Sequence, residues 1–503
     1  MTPDPRRWIT LSLVIMSAFI VVLDNTVLNV AIPTILRDLH TNLAAVQWVI
    51  SGYSLTFASL LIIGGRLGDL YGSRRMFIIG AAIFGVGSFI ASISTGIPEM
   101  IVGEAIIEGI GASLMLPATL SIISTTFDGH ERATAFAAWG AVIGAGAAFG
   151  PVLGGYLTTY HSWRWAFRLN VIVAPIVMLG VLLFMRQEAP ARARSRLDVP
   201  GALFVAVGMF SLVFGITQSN TYGWFRSLHD FSVVGHVVWS KSHHLSIVPI
   251  AFVLAAVMLV AFVRLELRLE RGTGQPLFEL GQFRNKSFRY GVLVAFLLSM
   301  GQFGMMFVVP VFLQDAKHLS ALDNGLWMCP MGVAMLVSAQ LGGRLTRAIG
   351  TVALVRIGLL IDVVGIVGEA FLLRPTVTFW QLLPIVVLYG FGSGFVSSQL
   401  TNVVLFAVDP EHAGAASGAN STARQTGSAL GIAVIGAVFT AVIARHGLAA
   451  AVKPAMLTGA AILAVAAAVS FLLPNVDQHT YSAAEEGVDL YDVLEPVDSH
   501  LTG

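Results

Sequence analysis

The residues of this sequence best placed to do chemistry are ionisable side chains within long apolar stretches. They are Asp24, Glu104, Glu108, Arg356, Asp362, Glu369 and Arg424. A charge at the centre of a bilayer costs about 2.5–3.5 kcal/mol on insertion scales, so each such residue is a functional candidate by default. The chemistry open to the acids is the uptake and release of protons, or the binding of a cationic ligand.

Glu104 and Glu108 are four residues apart, so both side chains can lie on one helix face and point into one cavity. Two carboxylates so near to each other in low-dielectric surroundings should not both be ionised, and the pKa of at least one should be raised. A carboxyl group of that kind is suited to proton exchange near neutral pH. Glu104 could instead lie nearer the outer rim of its helix. Asp24 is followed by Asn25 and Asn29, and this polar strip predicts either a functional carboxylate or a hydrogen bond that packs helices.

Asp362 lies near the middle of its apolar stretch, and Glu369 is two turns further along on a similar face. Arg356 is near the end of that stretch, where its side chain could extend to the membrane surface. Asp362 could pair with Arg424, which would give both residues a structural role. The Met- and Phe-rich segment 296–307 could line a promiscuous pocket, or it could face lipid or fill the core.

Composition places these residues in a membrane protein. Hydrophobic residues make up 56% of the 503 residues and charged residues 11%, against roughly 25% charged in soluble domains. Lys and Arg number 29 and Asp and Glu 28, a balance that excludes a nucleic-acid binder driven by bulk charge. The single cysteine, Cys329, excludes intramolecular disulfides and cysteine-cluster metal sites. The predicted fold class is an all-α polytopic membrane protein.

Fourteen apolar runs are long enough to cross a bilayer as helices. They cover 8–33, 46–66, 76–96, 99–122, 134–158, 167–185, 199–218, 246–264, 288–314, 323–343, 352–373, 379–400, 414–444 and 454–473. The first run is too long for a signal peptide and is predicted to be an uncleaved helix. Segments assigned to the inside carry about twice as many Lys and Arg residues as outside segments, which predicts that both termini are cytoplasmic.

Two segments repeat a pattern. Gly65 to Arg75 and Gly343 to Gly350 both read G-x-L-x-x-x-x-G, each predicted on an inside loop after the second run of a group of six. The repeat predicts a duplicated six-helix unit, runs 1–6 and 9–14, with runs 7 and 8 inserted. The predicted domains are a first bundle (1–188), a linker with two inserted helices (189–270), a second bundle (271–475) and an acidic tail (476–503).

The chain resembles the major facilitator superfamily and, within it, the fourteen-span drug:proton antiporters. The resemblance rests on residues 23–33 in the first run, 65–75 after the second, 146–155 in the fifth and 423–427 in the thirteenth. It implies two six-helix bundles that face each other across a central cavity, with two additional helices.

The resemblance also implies roles for residues outside the acidic set. Asp69 and Arg74 would latch the two bundles together on the inner side. Asp69 is predicted near the N-terminus of the third helix, where its negative charge would interact favourably with the helix dipole. The fifth run would limit leak through the cavity with Gly146, Gly150, Pro151, Gly154 and Gly155. The glycines themselves indicate only a close helix contact.

One departure from the family pattern concerns the fourth run. The family often has R-x-x-Q-G there, with the arginine linked to proton handling, whereas this chain has Ala105 and Glu108 at those positions. Either the proton site has moved to the glutamates, or coupling differs from the usual scheme.

The function we expect is proton-coupled efflux of amphipathic, often cationic, organic compounds by alternating access. One alternative is an exporter dedicated to a single metabolite or lipid precursor, and a second is a non-transporting receptor or scaffold. No Walker A, H-E-x-x-H or G-x-S-x-G motif is present, so no enzyme activity is predicted. The proton gradient is expected to supply the driving force.

Expected partners are a small-molecule substrate, protons and the lipid bilayer, and no nucleic acid. The oligomeric state is left open, with a monomer favoured. The expected location is the cytoplasmic membrane, and no cofactor or metal is expected. The outer loop 219–245 carries four histidines without a cysteine, a pattern that argues against a metal site there.

Overall fold

The computed structural model describes residues 6–41, 43–185, 197–233, 236–272, 275–406 and 408–474. Within this part of the chain there are fourteen long helices. In chain order, α1 to α14 are Arg7–Asp38, Leu43–Tyr71, Ser73–Ser92, Ile97–Thr126, Gly129–Tyr160, Arg164–Phe184, Val199–Tyr222, Ile247–Arg271, Lys286–Val311, Ala321–Ile349, Thr351–Leu372, Phe379–Leu405, Ala413–His446 and Leu448–Ser470. Thirteen are long and apolar enough to cross a membrane. The other, α5, has 32 residues, or about 48 Å at 1.5 Å per residue.

The helices form two bundles with an inserted pair. Helices α1–α6 pack on one another, as do α9–α14, and the bundles meet where α5 contacts α10 and α12 and where α2 contacts α13. Helices α7 and α8 pack on each other, and α7 also contacts α2 and α13. The inserted pair therefore lies beside one seam between the bundles. The predicted all-α architecture, with six, two and six helices, is confirmed.

A small hairpin interrupts the connection between α7 and α8. Strands β1 (Phe231–Val233) and β2 (His236–Trp239) pair antiparallel. The Phe231 ring packs against Tyr222 of α7 and Trp48 of α2. The segment predicted as an outer loop thus contains a docked sheet, which we did not predict. We call the membrane side that carries it the hairpin side, and the side where α1 begins the N-terminal side.

The repeated G-x-L-x-x-x-x-G segments were wrongly placed on loops. Helix α2 continues to Tyr71 and α3 begins at Ser73, with only Gly72 between them, and Gly350 alone separates α10 from α11. These glycines have φ of +92° and +82°, a conformation that turns the chain within one residue. Asp69 therefore lies in the last turn of α2, not at the start of α3. The two connections match, as expected for a duplicated unit.

Two of the predicted domain limits lie outside the described residues. The limit between 188 and 189 falls within 186–196, and the acidic tail 476–503 follows the last described residue. These two boundaries stay predictions.

Candidate functional site

Three carboxyl groups meet inside the first bundle. Asp24 of α1 and Glu104 and Glu108 of α4 each offer an oxygen within 4.8 Å of those of the other two. Their exposed fractions are 2%, 1% and 0%, so all three acids are buried. We call these three residues the carboxyl triad. The side chains of Asn25 and Asn29, the predicted polar strip, lie outside the described residues.

Two neutral side chains support the triad. The Asn170 amide of α6 donates from Nδ2 to Asp24 Oδ1 at 2.7 Å and to Glu108 Oε1 at 3.0 Å. The Ser88 hydroxyl of α3 donates to Glu108 Oε1 at 2.6 Å. Sequence analysis missed both residues, although Asn170 is a lone amide in an apolar run, which is the signal that could have revealed it.

Each triad carboxyl keeps an oxygen that receives no hydrogen bond from a hydroxyl, amide or backbone N–H group of the described chain: Asp24 Oδ2, Glu104 Oε2 and Glu108 Oε2. Three ionised carboxylates so close together in a low-dielectric interior would repel strongly. Protons or a bound cation must therefore neutralise part of the charge.

Helix α4 changes its winding where it carries the glutamates. Residues Ile101–Glu108 form a π-helix between the short turn Ile97–Met100 and the α-helix Gly109–Thr126. A π-helical turn inside an α-helix is uncommon and frequently occurs at functional sites. Glycines bring α3 close to this segment: a Cβ on Gly87 would lie 2.6 Å from Glu108 N, and one on Gly103 would lie 2.8 Å from Gly87 O. This close approach brings Ser88 within reach of Glu108.

The absence of an arginine at position 105 has a steric explanation. The Ala105 side chain is buried and lies 2.8 Å from where a Cβ on Gly52 of α2 would stand. An arginine side chain has no room in this contact. A close contact between α2 and α4 thus occupies the position directly after Glu104, and the donors that reach the triad from other helices, Ser88 and Asn170, are neutral.

The second bundle holds a related but smaller network. Asp362 of α11 accepts hydrogen bonds from Ser393 Oγ of α12 at 2.8 Å and from Gln302 Nε2 of α9 at 3.4 Å. Helices α9, α11 and α12 are the counterparts of α1, α3 and α4 in the duplicated unit. In the first bundle the hydroxyl of Ser88 is on α3 and the acid Glu108 is on α4. In the second bundle the order is reversed, with the acid on α11 and the hydroxyl on α12.

The Asp362–Arg424 pair considered from the sequence is not formed. The oxygens of Asp362 are taken by Ser393 and Gln302, and Arg424 Nη1 is buried without a hydrogen-bond partner in the described chain. Glu369 is buried, with Oε2 also unpartnered. Arg356 donates to Ser470 O and Leu473 O at the end of α14.

The glycines of α5 form two separate faces. Gly146, Gly150 and Gly154 pack against α1 within the first bundle, where a Cβ on Gly150 would lie 2.6 Å from Thr26 Cβ. Gly140 approaches Ser398 of α12, and Gly155 lies beside Leu322 of α10, in the second bundle. Helix α5 therefore joins the helix that carries Asp24 to the opposite bundle. The Pro151 side chain lies outside the described residues.

A carboxylate joins the bundles on the N-terminal side. Asp69 accepts hydrogen bonds from the backbone N–H groups of Gly414 at 2.7 Å and Ala415 at 2.8 Å. It therefore caps the N-terminus of α13 in the other bundle, not that of α3 as predicted from the sequence. Arg132 adds a hydrogen bond to Leu405 O at 2.7 Å across the same interface. Arg74 donates to Leu182 O of α6, at 2.9 Å.

Asp69→Asn should loosen the closed N-terminal side. Asparagine keeps one acceptor but loses the charge at the α13 N-terminus, which contributes about 0.3–2 kcal/mol. A cysteine replacing buried Ser398, in a Cys329→Ala background, reports opening through its maleimide labelling rate. We expect that rate to rise about three- to tenfold in purified protein. Asp323→Asn, at the α10 N-terminus on the hairpin side, should leave it unchanged, and equal rates in the Asp69 variant would disprove the latch.

A buried carboxyl network inside one of two paired six-helix bundles, which are clamped together on one side, defines a multi-pass membrane transporter. The family model of the Major Facilitator Superfamily matches residues 14–432. The chain is 34% identical over 451 residues to the probable actinorhodin transporter of Streptomyces coelicolor, covering 87% of this chain and 73% of that protein. It is 33% identical to the puromycin resistance protein of Streptomyces alboniger, covering 96% and 94%.

The chain therefore belongs to the Major Facilitator Superfamily, and its relatives include antibiotic exporters and resistance proteins. The crystal structure of the human organic anion transporter MFSD10 shares the fold, with a TM-score of 0.65 and 16% identity over 93% of this chain and 100% of that one. The resemblance seen in the sequence is confirmed.

Proposed function

We propose that the protein exports amphipathic, often cationic, organic compounds across the cytoplasmic membrane in exchange for protons. The observation that carries this proposal is the carboxyl triad, in which three buried acids offer oxygens within 4.8 Å of one another and the other side chains that donate hydrogen bonds to them are the neutral Ser88 and Asn170. Such a site can take up and release protons, because adding a proton relieves repulsion between adjacent carboxylates and removing one creates it. The names of the relatives support export of drug-like compounds.

Changes in the triad can reach the bundle interface through α1 and α5. Asp24 lies two residues before Thr26, whose side chain packs on Gly150. This contact leaves no room for a larger residue at position 150. Helix α5 in turn contacts the second bundle through Gly140 and Gly155. A shift of α1 on protonation would move α5 against α10 and α12, which is the type of relative motion that alternating access requires.

The distribution of Lys and Arg supports a cytoplasmic N-terminal side. In that orientation the Asp69 clamp closes the cytoplasmic entrance, and the hairpin between α7 and α8 faces outward. Each proton that enters down a membrane potential supplies about 2.3 kcal/mol per 100 mV. This energy corresponds to about a fiftyfold substrate concentration ratio per 100 mV for each proton that enters in excess of the positive charge exported.

The proposal is tested with purified protein in proteoliposomes under an imposed pH gradient. Tetraphenylphosphonium serves as a lipophilic cation probe, and nigericin collapses the gradient. Probe movement against its own gradient that stops on addition of nigericin would support proton coupling. Probe movement that is unchanged by nigericin would refute coupling to protons. If no member of a compound panel is moved, the receptor or scaffold alternative is favoured.

A dedicated exporter is the second candidate, because relatives are named for single antibiotics, actinorhodin and puromycin. Export measurements in an efflux-deficient host distinguish the two. Several unrelated cations exported at similar rates support the multidrug function, whereas one exported compound supports the dedicated one.

Asp24→Asn should weaken export, most of all for cationic compounds. The Asn170 hydrogen bond to Oδ1 can be kept by asparagine, so insertion and folding should be normal, but the carboxylate is lost. We expect at least about a tenfold loss of cation resistance, equivalent to about 1.4 kcal/mol, at equal expression. Asp230→Asn, at the exposed residue directly before β1, is the control. Unchanged resistance across a panel of cations would remove Asp24 from the mechanism.

A further inference from the structure

Arg424 is a cation that pairs with no acid in the part of the chain that the structure describes. It lies on α13, eleven residues after Ala413, the first residue of that helix, which is about 17 Å along the helix at 1.5 Å per residue. Its Nη1 is buried and makes no hydrogen bond there. Asp362, the acid considered as its partner, is bonded to Ser393 and Gln302 instead.

An arginine cannot remove its charge in the way that the buried acids of the first bundle can. A carboxylate takes up a proton, whereas a guanidinium keeps its proton in proteins. An uncompensated charge in the membrane interior is costly. Neutrality at Arg424 therefore requires an anion that is not among the described residues, and this requirement does not change with pH.

Two further polar side chains on the same face of α13 also lack partners. Ser417 and Asn420 lie seven and four residues before Arg424, spacings that place all three on one side of the helix. Ser417 Oγ and both amide atoms of Asn420, Oδ1 and Nδ2, are buried and form no hydrogen bond with the described residues. A buried polar group left unpaired costs about 1–3 kcal/mol. We call these three residues the α13 polar face.

Two glycine contacts show which way the α13 polar face points. Gly418 lies directly against the backbone of α2 in the first bundle, and Gly427 lies directly against the backbone of α9 in the second. At about 100° per residue around the helix, the polar face lies between these contacts on one side, and the apolar Ala419 and Ala423 lie on the other. Helix α13 also contacts α4 of the first bundle. The polar face therefore points inward, to where the two bundles meet.

The length of the α13 polar face favours an organic anion over a single inorganic ion. From Ser417 to Arg424 it extends about 10 Å along the helix axis. The planar fork of an arginine matches a carboxylate, and the amide and hydroxyl can bond to a second part of an extended molecule. The neighbouring helix α9 is rich in Met and Phe, side chains that adapt to apolar bodies of varied shape. Arg424 is partly exposed, so a ligand can reach this side chain.

We propose that the α13 polar face binds the acidic group of transported compounds, with Arg424 holding an organic carboxylate. The inference rests on the proposed export function and adds amphipathic acids and zwitterions to its substrate class. The charged groups of the two bundles then have separate roles. The carboxyl triad of the first bundle exchanges protons, and the α13 polar face of the second bundle recognises the substrate.

The test compares two dyes that differ in one acidic group: rhodamine B, a free carboxylic acid, and rhodamine B ethyl ester. Binding to the full-length protein is measured by equilibrium dialysis, with equal detergent on both sides, at about pH 7.5, where a carboxyl group is ionised. We expect the wild type to bind the acid at least about tenfold more tightly than the ester, equivalent to about 1.4 kcal/mol. Arg424→Gln should remove this preference and leave ester binding unchanged. Arg424→Lys should keep part of it, because lysine keeps the charge without the planar fork.

Arg356→Gln is the matched control, because it removes another arginine of the second bundle, one that bonds to backbone carbonyls at the end of α14. It should keep the full preference for the acid. Thermal unfolding shows whether each variant is folded and gives a second measurement. The acid should raise the unfolding temperature of the wild type more than the ester does, and this difference should be absent in Arg424→Gln.

Four results would each overturn the proposal. They are equal affinities of the wild type for acid and ester, a preference that persists in Arg424→Gln, an equal loss of preference in Arg356→Gln, and stabilisation by chloride through Arg424 while the acid has no advantage over the ester. The last result would mean that the site holds an inorganic ion.

The inference and the proposed function can fail separately. Dialysis measures recognition of the acid without a proton gradient and without transport. A preference for the acid in a protein that moves no compound in proteoliposomes would refute only the export function. Proton-driven movement of tetraphenylphosphonium by a protein that does not prefer the acid would refute only the α13 site.

Discussion

Replacing Glu108 with glutamine is expected to abolish export driven by a pH gradient while substrate binding changes little. Glutamine keeps the size of the side chain and an oxygen that can accept the hydrogen bonds from Ser88 and Asn170. It cannot lose or gain a proton at this position. The expected loss is the concentration ratio that one coupled proton sustains, about tenfold for each unit of pH difference across the membrane.

The measurement is proton release and uptake on substrate addition, with purified protein in weakly buffered detergent, together with uptake in proteoliposomes. Glu99→Gln is the matched control, because it makes the same substitution at an exposed position at the start of α4. It should behave as the wild type. If Glu108→Gln and Glu104→Gln both exchange protons normally, the glutamates are structural and Asp24 or Asp362 becomes the leading proton carrier.

Gly150→Leu should eliminate export without preventing membrane insertion. Even the first carbon of the new side chain would overlap the Thr26 hydroxyl and lie 2.6 Å from Thr26 Cβ, so α5 must move away from α1. Overpacking of this kind typically costs about 1–3 kcal/mol. It would separate the helix that carries Asp24 from the helix that contacts the second bundle. We also expect proton leak through the loosened bundle, measured as collapse of a pH gradient in proteoliposomes.

A pair of smaller substitutions provides the control. Gly150→Ala should already impair export, because its Cβ alone meets Thr26. Gly155→Ala lies on the same helix and has the same effect on helix propensity, but its Cβ would stand 3.6 Å from Leu322, an ordinary contact. It should transport normally. Equal activity of the two alanine variants would show that the α1–α5 contact is not required.

Local patterns in the sequence were sufficient to predict the helical architecture. Apolar runs long enough to cross a bilayer, together with the paired G-x-L-x-x-x-x-G segments, predicted the helices and the duplicated bundles, since hydrophobicity and helix length are local properties. The limits of the helices were less predictable. Helices α2 and α10 continue to Tyr71 and Ile349, because the glycine that follows each, with positive φ, can replace a whole loop.

Residue types also identified the acids of the site. Asp24, Glu104 and Glu108 are costly inside a bilayer wherever their helices lie, and the sequence alone determined that they are present and that Glu104 and Glu108 are neighbours. Only the tertiary structure decided that Asp24 joins them and that Asn170, from α6, bridges Asp24 and Glu108.

The same division holds for the other predicted contacts. Asp362 bonds to Ser393 instead of pairing with Arg424, and Asp69 caps α13 instead of α3. Helix periodicity determines which residues share a face of one helix, because it depends on spacing along the chain. The partner that a face meets depends on how helices far apart in sequence rotate and pack, which in this protein is set by glycine contacts such as those between Gly65 and Gly414 and between Gly87 and Gly103.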